Sequence, residues 1–142
     1  MAAELGWEFL DADDFHSPAN RLKMSHGEPL KDEDRLPWLS SIHESLLQRI
    51  ELRENIVLAC SALKQSYREV LGSGLHLKIV YLRGSRQLLL ERLRERKGHF
   101  FKGELLESQL ADLEAPAGAL TLDVRESPAQ LAREIRESLN LK

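Results

Sequence analysis

Four short apolar runs, separated by stretches with helical periodicity, are the feature that most limits how this 142-residue chain can fold. The predicted strands are Trp7–Asp11, Ile56–Cys60, Leu77–Leu82 and Leu120–Val124. Runs that are apolar on both faces are typical of strands covered by helices on each side. Because strands that alternate with helices connect through right-handed crossovers, the pattern predicts an α/β fold with a mostly parallel sheet.

Helix signals fill the segments between and after these runs. Serine followed by proline, the pattern of an N-cap and a first helical residue, occurs at Ser17–Pro18 and Ser127–Pro128. A longer helix is predicted to follow Pro37, with one apolar stripe made of Leu39, Ile42, Leu46 and Ile50. Further helices are predicted at residues 63–71, 87–96 and 104–113.

Composition places the chain among ordinary soluble globular proteins of one domain, with 42% hydrophobic residues and a formal net charge of -3. Without an excess of positive charge, neither nucleic acid nor an anionic membrane is an expected partner. No apolar run approaches the roughly 20 residues of a membrane span, and no secretory signal is expected. Cys60 is the only cysteine, which excludes an internal disulfide and favours a reducing, cytoplasmic setting.

Acidic residues follow the first predicted strand, at the end where parallel sheets bind their ligands. The stretch "DADDFH" contains Asp11, Asp13 and His16. Two carboxylates that lie two residues apart can hold Mg²⁺ through water, or one of them can accept a proton from a hydroxyl group. A solvated acidic turn is the alternative, and the position at the carboxyl end of a strand favours the functional interpretation.

A second polar stretch, "CSALKQSYREVL", follows the second predicted strand. Ser61 and the amides of the turn can bind an anion at a helix N-terminus. Lys64, Tyr67 and Arg68 lie three and four residues apart, so they share one helical face. Beside a carboxylate cluster, such a face suits a polar, anionic small molecule that carries hydroxyl groups. An amphipathic surface helix explains the same spacing equally well.

Charged residues also occupy the segment between these two stretches. Arg21, Lys23 and Arg35 are cations close in sequence to the acids. Asp32 and Asp34 either orient these cations or cap the helix that follows, and capping is the more common role of loop acids before a helix.

Two arginines precede a glycine in the stretch "RERKGHFF". Arg92 and Arg96 lie four residues apart on one helix face, and Gly98 is predicted to end that helix. Arginines at the base of a loop suit phosphoryl transfer, because they neutralise the charge that spreads onto the transferred group. A loop that closes would also exclude water. A basic surface helix followed by two buried phenylalanines is the alternative.

Together these segments resemble the bacterial and animal gluconokinases, P-loop kinases related to shikimate and nucleoside monophosphate kinases. The resemblance depends on "LDADDFH", "NRLKM", "GEPLKDEDRLPWL", "CSALKQSYREVL" and "RKGHFFKGELLESQLADLEAP", which recur in the family's order over nearly the whole chain. It implies one kinase-like domain over residues 1–142, with four of the usual five core strands. It also implies phosphorylation of D-gluconate on its 6-hydroxyl, with ATP and Mg²⁺.

The resemblance further implies roles for single residues. Asp13 is expected to engage the gluconate hydroxyl in catalysis, and Asp11 to lie nearer the metal. The implied gluconate-binding residues are His16, Arg21, Arg35, Lys64, Arg68 and His99. Arg92 and Arg96 are expected to approach the ATP phosphates, and residues 97–103 to form a lid. A homodimer would fit the family, which includes dimers.

One departure from the family is large, because the sequence contains no G-x-x-x-x-G-K-[ST] loop, whose amides, lysine and hydroxyl hold the phosphates and Mg²⁺. "MAAELGWEF" resembles the end of the helix that follows this loop. The chain is therefore expected to lack the family's first βα unit, whose strand lies at the sheet centre in the order 2-3-1-4-5. The second and third predicted strands would then each lose a neighbour.

Three hypotheses follow from this departure. The first is a gluconokinase. The second is a catalytically inactive homologue that retains only part of the gluconate pocket. The third is a different kinase of the same fold, such as one for shikimate, and the stretches "CSALKQSYR" and "GHFFKGELLESQ" argue against it.

Overall fold

The computed structural model describes residues 1–95 and 104–141, which alternate between strands and helices as the sequence predicts. The strands are β1 (Glu8–Asp11), β2 (Ile56–Ala59), β3 (Val80–Arg83) and β4 (Leu120–Asp123). The helices are α1 (Ala2–Leu5), α2 (Pro18–Ser25), α3 (Asp32–Glu51), α4 (Gln65–Leu71), α5 (Arg86–Glu95), α6 (Glu104–Asp112) and α7 (Pro128–Ser138). A 3₁₀ turn, Ala12–Phe15, follows β1. None of the described helices is long and apolar enough to cross a lipid bilayer.

The four strands form two parallel pairs. β1 pairs with β2, with Asp11 opposite Ala59, and β3 pairs with β4, with Arg83 opposite Asp123. In the part of the chain that the structure describes, no ladder joins β2 to β3. This arrangement confirms the prediction that the second and third strands each lack a neighbour on one side. Within each pair the carboxyl ends lie together, which is where a parallel sheet places a ligand.

The two predicted serine caps are confirmed. The Ser17 hydroxyl accepts a hydrogen bond from the Asn20 N–H at 3.1 Å, and the Ser127 hydroxyl accepts one from the Gln130 N–H at 3.2 Å. Each bond satisfies a donor that a helix start would otherwise leave unpaired. The caps therefore set where α2 and α7 begin.

The predicted start of α3 after Pro37 is wrong, since the helix begins at Asp32, five residues before Pro37. The Asp34 carboxylate accepts a hydrogen bond from the Lys31 N–H at 2.9 Å, and three acids in the first turn favour the positive end of the helix dipole. These interactions stabilise the start, although proline inside the helix removes one backbone donor.

The main core lies between α3, α4 and the β1–β2 pair. Leu39 and Ile42 are fully buried, and the cluster also contains Ala12, Trp38, Leu46, Leu63, Tyr67 and Leu71. Ile50 was predicted on the same stripe, but it is 46% exposed because it lies in the last turn of α3, beyond this cluster. A smaller cluster of Met24, Leu30 and Leu105 joins α2 to α6.

The β3–β4 pair is less completely covered. The predicted strand from Leu77 begins only at Val80, because β4 starts at Leu120, the partner of Val80. Leu82 is 47% exposed within β3. Directly after β3, a Cβ atom added at Gly84 would lie 2.4 Å from Cγ2 of Val124, a distance that allows only glycine. Glycine thus lets the carboxyl ends of β3 and β4 come close, and the Val124 N–H donates a hydrogen bond to the Arg83 carbonyl oxygen at 2.9 Å.

Candidate functional site

The acidic turn at the end of β1 is held by specific hydrogen bonds. Asp11 caps the 3₁₀ turn, because its Oδ1 accepts a hydrogen bond from the Asp13 N–H at 3.0 Å. Burial, together with the negative charges of Asp13 and Asp11, raises the pKa of the Cys60 thiol to about 11. The carboxylates of Asp11 in β1 and Asp13 in the turn therefore lie close to the end of β2, as the parallel pairing of β1 and β2 requires.

Arg21 of α2 fastens this turn from the next helix. Its Nη2 donates to the Asp13 carbonyl oxygen at 3.1 Å, and its Nε donates to the His16 carbonyl oxygen at 3.4 Å. The guanidinium thus contacts both the turn and its C-cap. Arg21, which was predicted to bind gluconate, therefore lies beside the acidic turn and donates hydrogen bonds to its backbone.

His16 is buried against the first helix turns of α2 and α3. Its ring stacks on Trp38, with centroids 4.3 Å apart and planes 12° apart. Asn20 Nδ2 donates to His16 Nδ1 at 3.4 Å and to the Asp34 carbonyl oxygen at 2.9 Å. Because Nδ1 is the acceptor, the neutral ring carries its proton on Nε2.

The charge state of His16 follows from this burial. Desolvation by burial, together with the positive charges of Arg21 and Arg35, lowers the pKa of His16 to about 4. The ring is therefore neutral at pH 7. It can exchange hydrogen bonds with hydroxyl groups, but it does not supply a positive charge to a ligand.

Tyr67 of α4 is the centre of the second group of polar side chains. Its ring is buried, and its hydroxyl donates a hydrogen bond to Oδ1 of Asp32 at the start of α3. The same carboxylate oxygen accepts a hydrogen bond from Lys64 Nζ at 3.0 Å. Arg35 Nη1 donates to the Tyr67 hydroxyl at 2.9 Å. The hydrogen bonds from Tyr67 and then Lys64 lower the pKa of Asp32.

Arg35 connects the acidic turn with this second group. Its side chain is buried, and its Nη1 also lies 3.3 Å from Asp112 Oδ2 of α6. Its charge contributes to the lowered pKa values of both His16 and Asp32. The structure therefore brings together six of the predicted site residues at one edge: Asp11, Asp13, His16, Arg21, Arg35 and Lys64.

Arg68 lies in the same region but is bonded mainly to the backbone. Its Nη1 donates to the carbonyl oxygens of Ala62 at 2.8 Å and Leu63 at 3.3 Å, and its Nη2 donates to that of Glu114 at 2.8 Å. Its Nε donates to Gln65 Oε1 at 3.3 Å. These bonds join the turn after β2 to the segment after α6, and its role in binding gluconate stays a prediction.

The predicted phosphate-side residues are placed differently. Arg92 is exposed in the last turn of α5, which follows β3 in the other half of the molecule. Arg96 lies outside the described residues, as do the predicted lid at 97–103 and His99, which was predicted to bind gluconate. Among the described residues, Arg92 therefore follows a different strand pair from the acidic turn.

A cavity of about 330 Å³ lies at the carboxyl ends of β3 and β4, where the sequence indicated no site. It is lined by Arg83, Gly84, Ser85, Asp123 and Arg125. Arg125 Nε donates to Asp123 Oδ2 at 2.9 Å, and hydrogen bonds from Arg125 lower the pKa of Asp123. Each strand pair thus has a polar site at its carboxyl end.

Sequence reasoning also missed residues that support the site. Trp38 lies in the main core, and its Nε1–H also donates to the Ala12 carbonyl oxygen at 2.7 Å and so fixes the acidic turn to α3. Asn20 and Asp112 carried no local signal, since Asp112 lies 77 residues from its partner Arg35. A motif read along the chain does not show such partners.

Comparisons with known proteins agree on one family. A family profile described as "Shikimate kinase" matches residues 1–140. A probable gluconokinase of Mus musculus is 42% identical in an alignment of 160 positions, which covers 98% of this chain and 87% of that protein. A sugar kinase from Janibacter sp. HTCC2649, solved without ligand, has a TM-score of 0.92 at 41% identity over 99% of this chain and 83% of its own. A gluconokinase from Sinorhizobium meliloti 1021 has a TM-score of 0.80 at 43% identity over 94% of this chain and 77% of its own.

Proposed function

We propose that this chain, which belongs to the gluconokinase family within the shikimate kinase-like fold, takes part in transferring the terminal phosphoryl group of ATP to the 6-hydroxyl of D-gluconate. One observation supports this proposal most directly. The acidic turn with Asp13 and the cationic group around Lys64 occupy one edge, and Arg35 links them. A sugar acid presents a hydroxyl to the first group and a negative charge to the second.

Asp13 is the proposed base. As the 6-hydroxyl oxygen attacks the phosphorus, the Asp13 carboxylate accepts the hydroxyl proton, and the bond from phosphorus to the leaving ADP oxygen breaks. The cap from Asp11 and the contacts from Arg21 hold the turn backbone in place. The neutral ring of His16 would bind a substrate hydroxyl, because its proton lies on Nε2.

Mg²⁺ fits the carboxylates of this turn. The ion usually binds one or two protein carboxylates together with waters and substrate phosphates. Asp11 uses Oδ1 for the cap, and its other oxygen suits the ion or a bound water. No cluster of three or more metal-binding side chains occurs among the described residues. When bound, the ion would neutralise phosphate charge.

The nucleotide is proposed to lie on the β3–β4 side. Arg83 and Arg125 border the cavity at that edge, and Arg92 lies on the helix that follows β3. Arg92, together with Arg96, would contact the phosphates. The proposed setting is cytoplasmic, and the proposed assembly is a homodimer.

A second candidate, gluconate binding without turnover, is favoured by two observations. The 142 residues contain no G-x-x-x-x-G-K-[ST] pattern. In the described part of the chain, β2 and β3 are also not hydrogen-bonded to each other. The acidic turn and the group around Lys64 depend neither on that loop nor on hydrogen bonds between β2 and β3.

The test is an acceptor panel of sugar acids and shikimate, with ATP, for the chain preceded by a strand, a G-x-x-x-x-G-K-[ST] loop and a helix. Gluconate should be the preferred acceptor, and Asp13→Asn should lower kcat by ~10²-fold or more, as loss of a general base does. Asp14→Asn, at an exposed neighbour in the same turn, is the matched control and should have little effect. Preference for another acceptor, or a normal kcat for Asp13→Asn, would overturn the proposal.

A further inference from the structure

The carboxylate of Asp32 occupies a position that suits the carboxylate of a ligand. One of its oxygens accepts hydrogen bonds from both the Lys64 ammonium group and the Tyr67 hydroxyl. A cation and a hydroxyl that converge on one carboxylate oxygen are the donors that a carboxylate-binding site provides. The donors come from α4, and the acceptor comes from the start of α3.

The charges of this group balance only when one carboxylate fills that position. Lys64 and Arg35 are cationic, and Asp112 lies 3.3 Å from Arg35 Nη1. Asp32 supplies the second negative charge. If its carboxylate moves away into water, Lys64 loses its partner, and one anionic group restores the balance.

The Tyr67 donor is held by the core and by Arg35, whereas the acceptor is free to move. The other donor, Lys64, has a side chain that is 27% exposed. The ring of Tyr67 is 3% exposed within the main core, and Arg35 is 5% exposed. The side chain of Asp32, in contrast, is 62% exposed at the first position of α3. It can therefore rotate into solvent without disturbing the packing, while the Tyr67 hydroxyl keeps its place.

We propose that Lys64 and Tyr67 form the subsite for the carboxylate of the sugar acid, and that Asp32 occupies this subsite until the substrate displaces it. The inference rests on the proposed function, because it assigns one end of the same substrate. The 6-hydroxyl is then engaged by Asp13 and the carboxylate by Lys64, with Arg35 between them. Asp32 acts as an internal competitor of the substrate.

The opposite role is that Asp32 permanently orients Lys64 and Tyr67 for binding. The two roles predict opposite effects of Asp32→Asn, a substitution that keeps the size of the side chain. A competitor that is removed leaves tighter binding, whereas an orienting group that is removed leaves weaker binding.

Calorimetric titration of gluconate into the 142-residue chain shows whether Asp32→Asn makes gluconate binding tighter or weaker. Asp32→Asn should lower the Kd for gluconate about two- to fivefold, the range expected when an exposed ion pair no longer competes. Lys64→Met should raise the Kd for gluconate about tenfold or more, because it removes a charge-assisted partner. Glu33→Gln removes one negative charge from the same exposed turn and is the matched control, with an unchanged Kd.

Carbon NMR of the Asp32 carboxyl group gives a second readout. Hydrogen bonds from Tyr67 and Lys64 hold the pKa of Asp32 below its ordinary value in the free protein. Saturating gluconate should raise this pKa towards the ordinary value, because the donors then bind the ligand. A Kd that rises in Asp32→Asn, or an Asp32 pKa that stays low with gluconate bound, would overturn the inference. Absence of gluconate binding by the unsubstituted chain would instead count against the proposed function.

Discussion

The half of the molecule built on β1 and β2 and the half built on β3 and β4 share one plan, two parallel strands with helices, but they differ in packing. In the first half, Leu39 and Ile42 are fully buried beneath the site. In the second half, Leu82 is 47% exposed, and α5 contains no buried residue among its described positions. The side chains proposed to recognise the sugar acid are thus held by a core, whereas the side proposed for the nucleotide is held more loosely.

This difference separates recognition from turnover. Arg35 Nη1 donates to the Tyr67 hydroxyl at 2.9 Å, and both side chains are buried. A preformed site binds its ligand with a smaller ordering cost. Transfer of the phosphoryl group additionally needs donors aimed at the phosphates, and Arg92 is an exposed residue at a helix end.

The largest expected effect compares the 142-residue chain with the same chain preceded by a strand, a G-x-x-x-x-G-K-[ST] loop and a helix. The kcat for ATP-dependent phosphorylation of gluconate should be at least ~10³-fold lower without that unit, because one preorganised donor alone is worth ~10²–10³. The Kd for gluconate should be similar in both. Coupled detection of 6-phosphogluconate and calorimetry measure the two quantities.

A substitution of the loop lysine by methionine in the longer form is the control, and it should lower kcat without changing gluconate affinity. Equal turnover by the two chains would contradict this account of the difference between the halves. So would a gluconate Kd that changes as much as kcat does.

Core substitutions compare the packing of the two halves directly. Leu39→Ala should lower the free energy of unfolding by ~2–5 kcal/mol, because it leaves a cavity at a fully buried position. Leu82→Ala, at a half-exposed position of β3, should lower it by about 1 kcal/mol or less. Urea unfolding followed by circular dichroism measures both. Similar losses at the two positions would show that the halves are packed alike.

The free energy of unfolding should depend on pH through His16, which is buried in the first half of the molecule. Its pKa in the folded protein is about 4, below the ordinary 6.5, so the unfolded chain binds a proton first as the pH falls. Stability is therefore full above pH 6.5 and should decrease by roughly 2–3 kcal/mol down to about pH 4. His16→Phe keeps a ring against Trp38 and should flatten this part of the profile.

The exposed His26 provides the control for that measurement, since His26→Gln should leave the slope between pH 6.5 and 4 unchanged. Urea unfolding at several pH values gives the slope for each variant. If His16→Phe retains the full slope, other groups cause the acid sensitivity.

Local patterns predicted the strands and most helix ends because those features depend on neighbouring residues. Serine caps and apolar runs act over three to five positions, and the structure confirms Ser17 and Ser127. Pro37 misled the prediction of α3, because the acids from Asp32 onward stabilise an earlier start. A rule about proline alone does not weigh these competing interactions.

The site was predictable only in part, for the same reason. Asp13, His16 and Lys64 belong to short motifs, and the structure brings them to one edge. The partners that fix them, such as Asp112 for Arg35, lie far away in sequence and follow no periodicity. Tertiary contacts of this kind appear only once the helices are packed.

Arg68 shows how a single buried arginine can affect the interpretation of inherited variants. Its guanidinium holds the carbonyl groups of Ala62, Leu63 and Glu114. A missense change there removes these hydrogen bonds, at about 1 kcal/mol for each, although the Leu63 carbonyl group keeps a second bond from the Glu114 N–H at 2.8 Å. A cell would then contain less of the folded protein, because quality control removes unstable chains. Reduced activity in an extract would thus reflect abundance, and only purified, concentration-matched protein would separate that from a change in affinity.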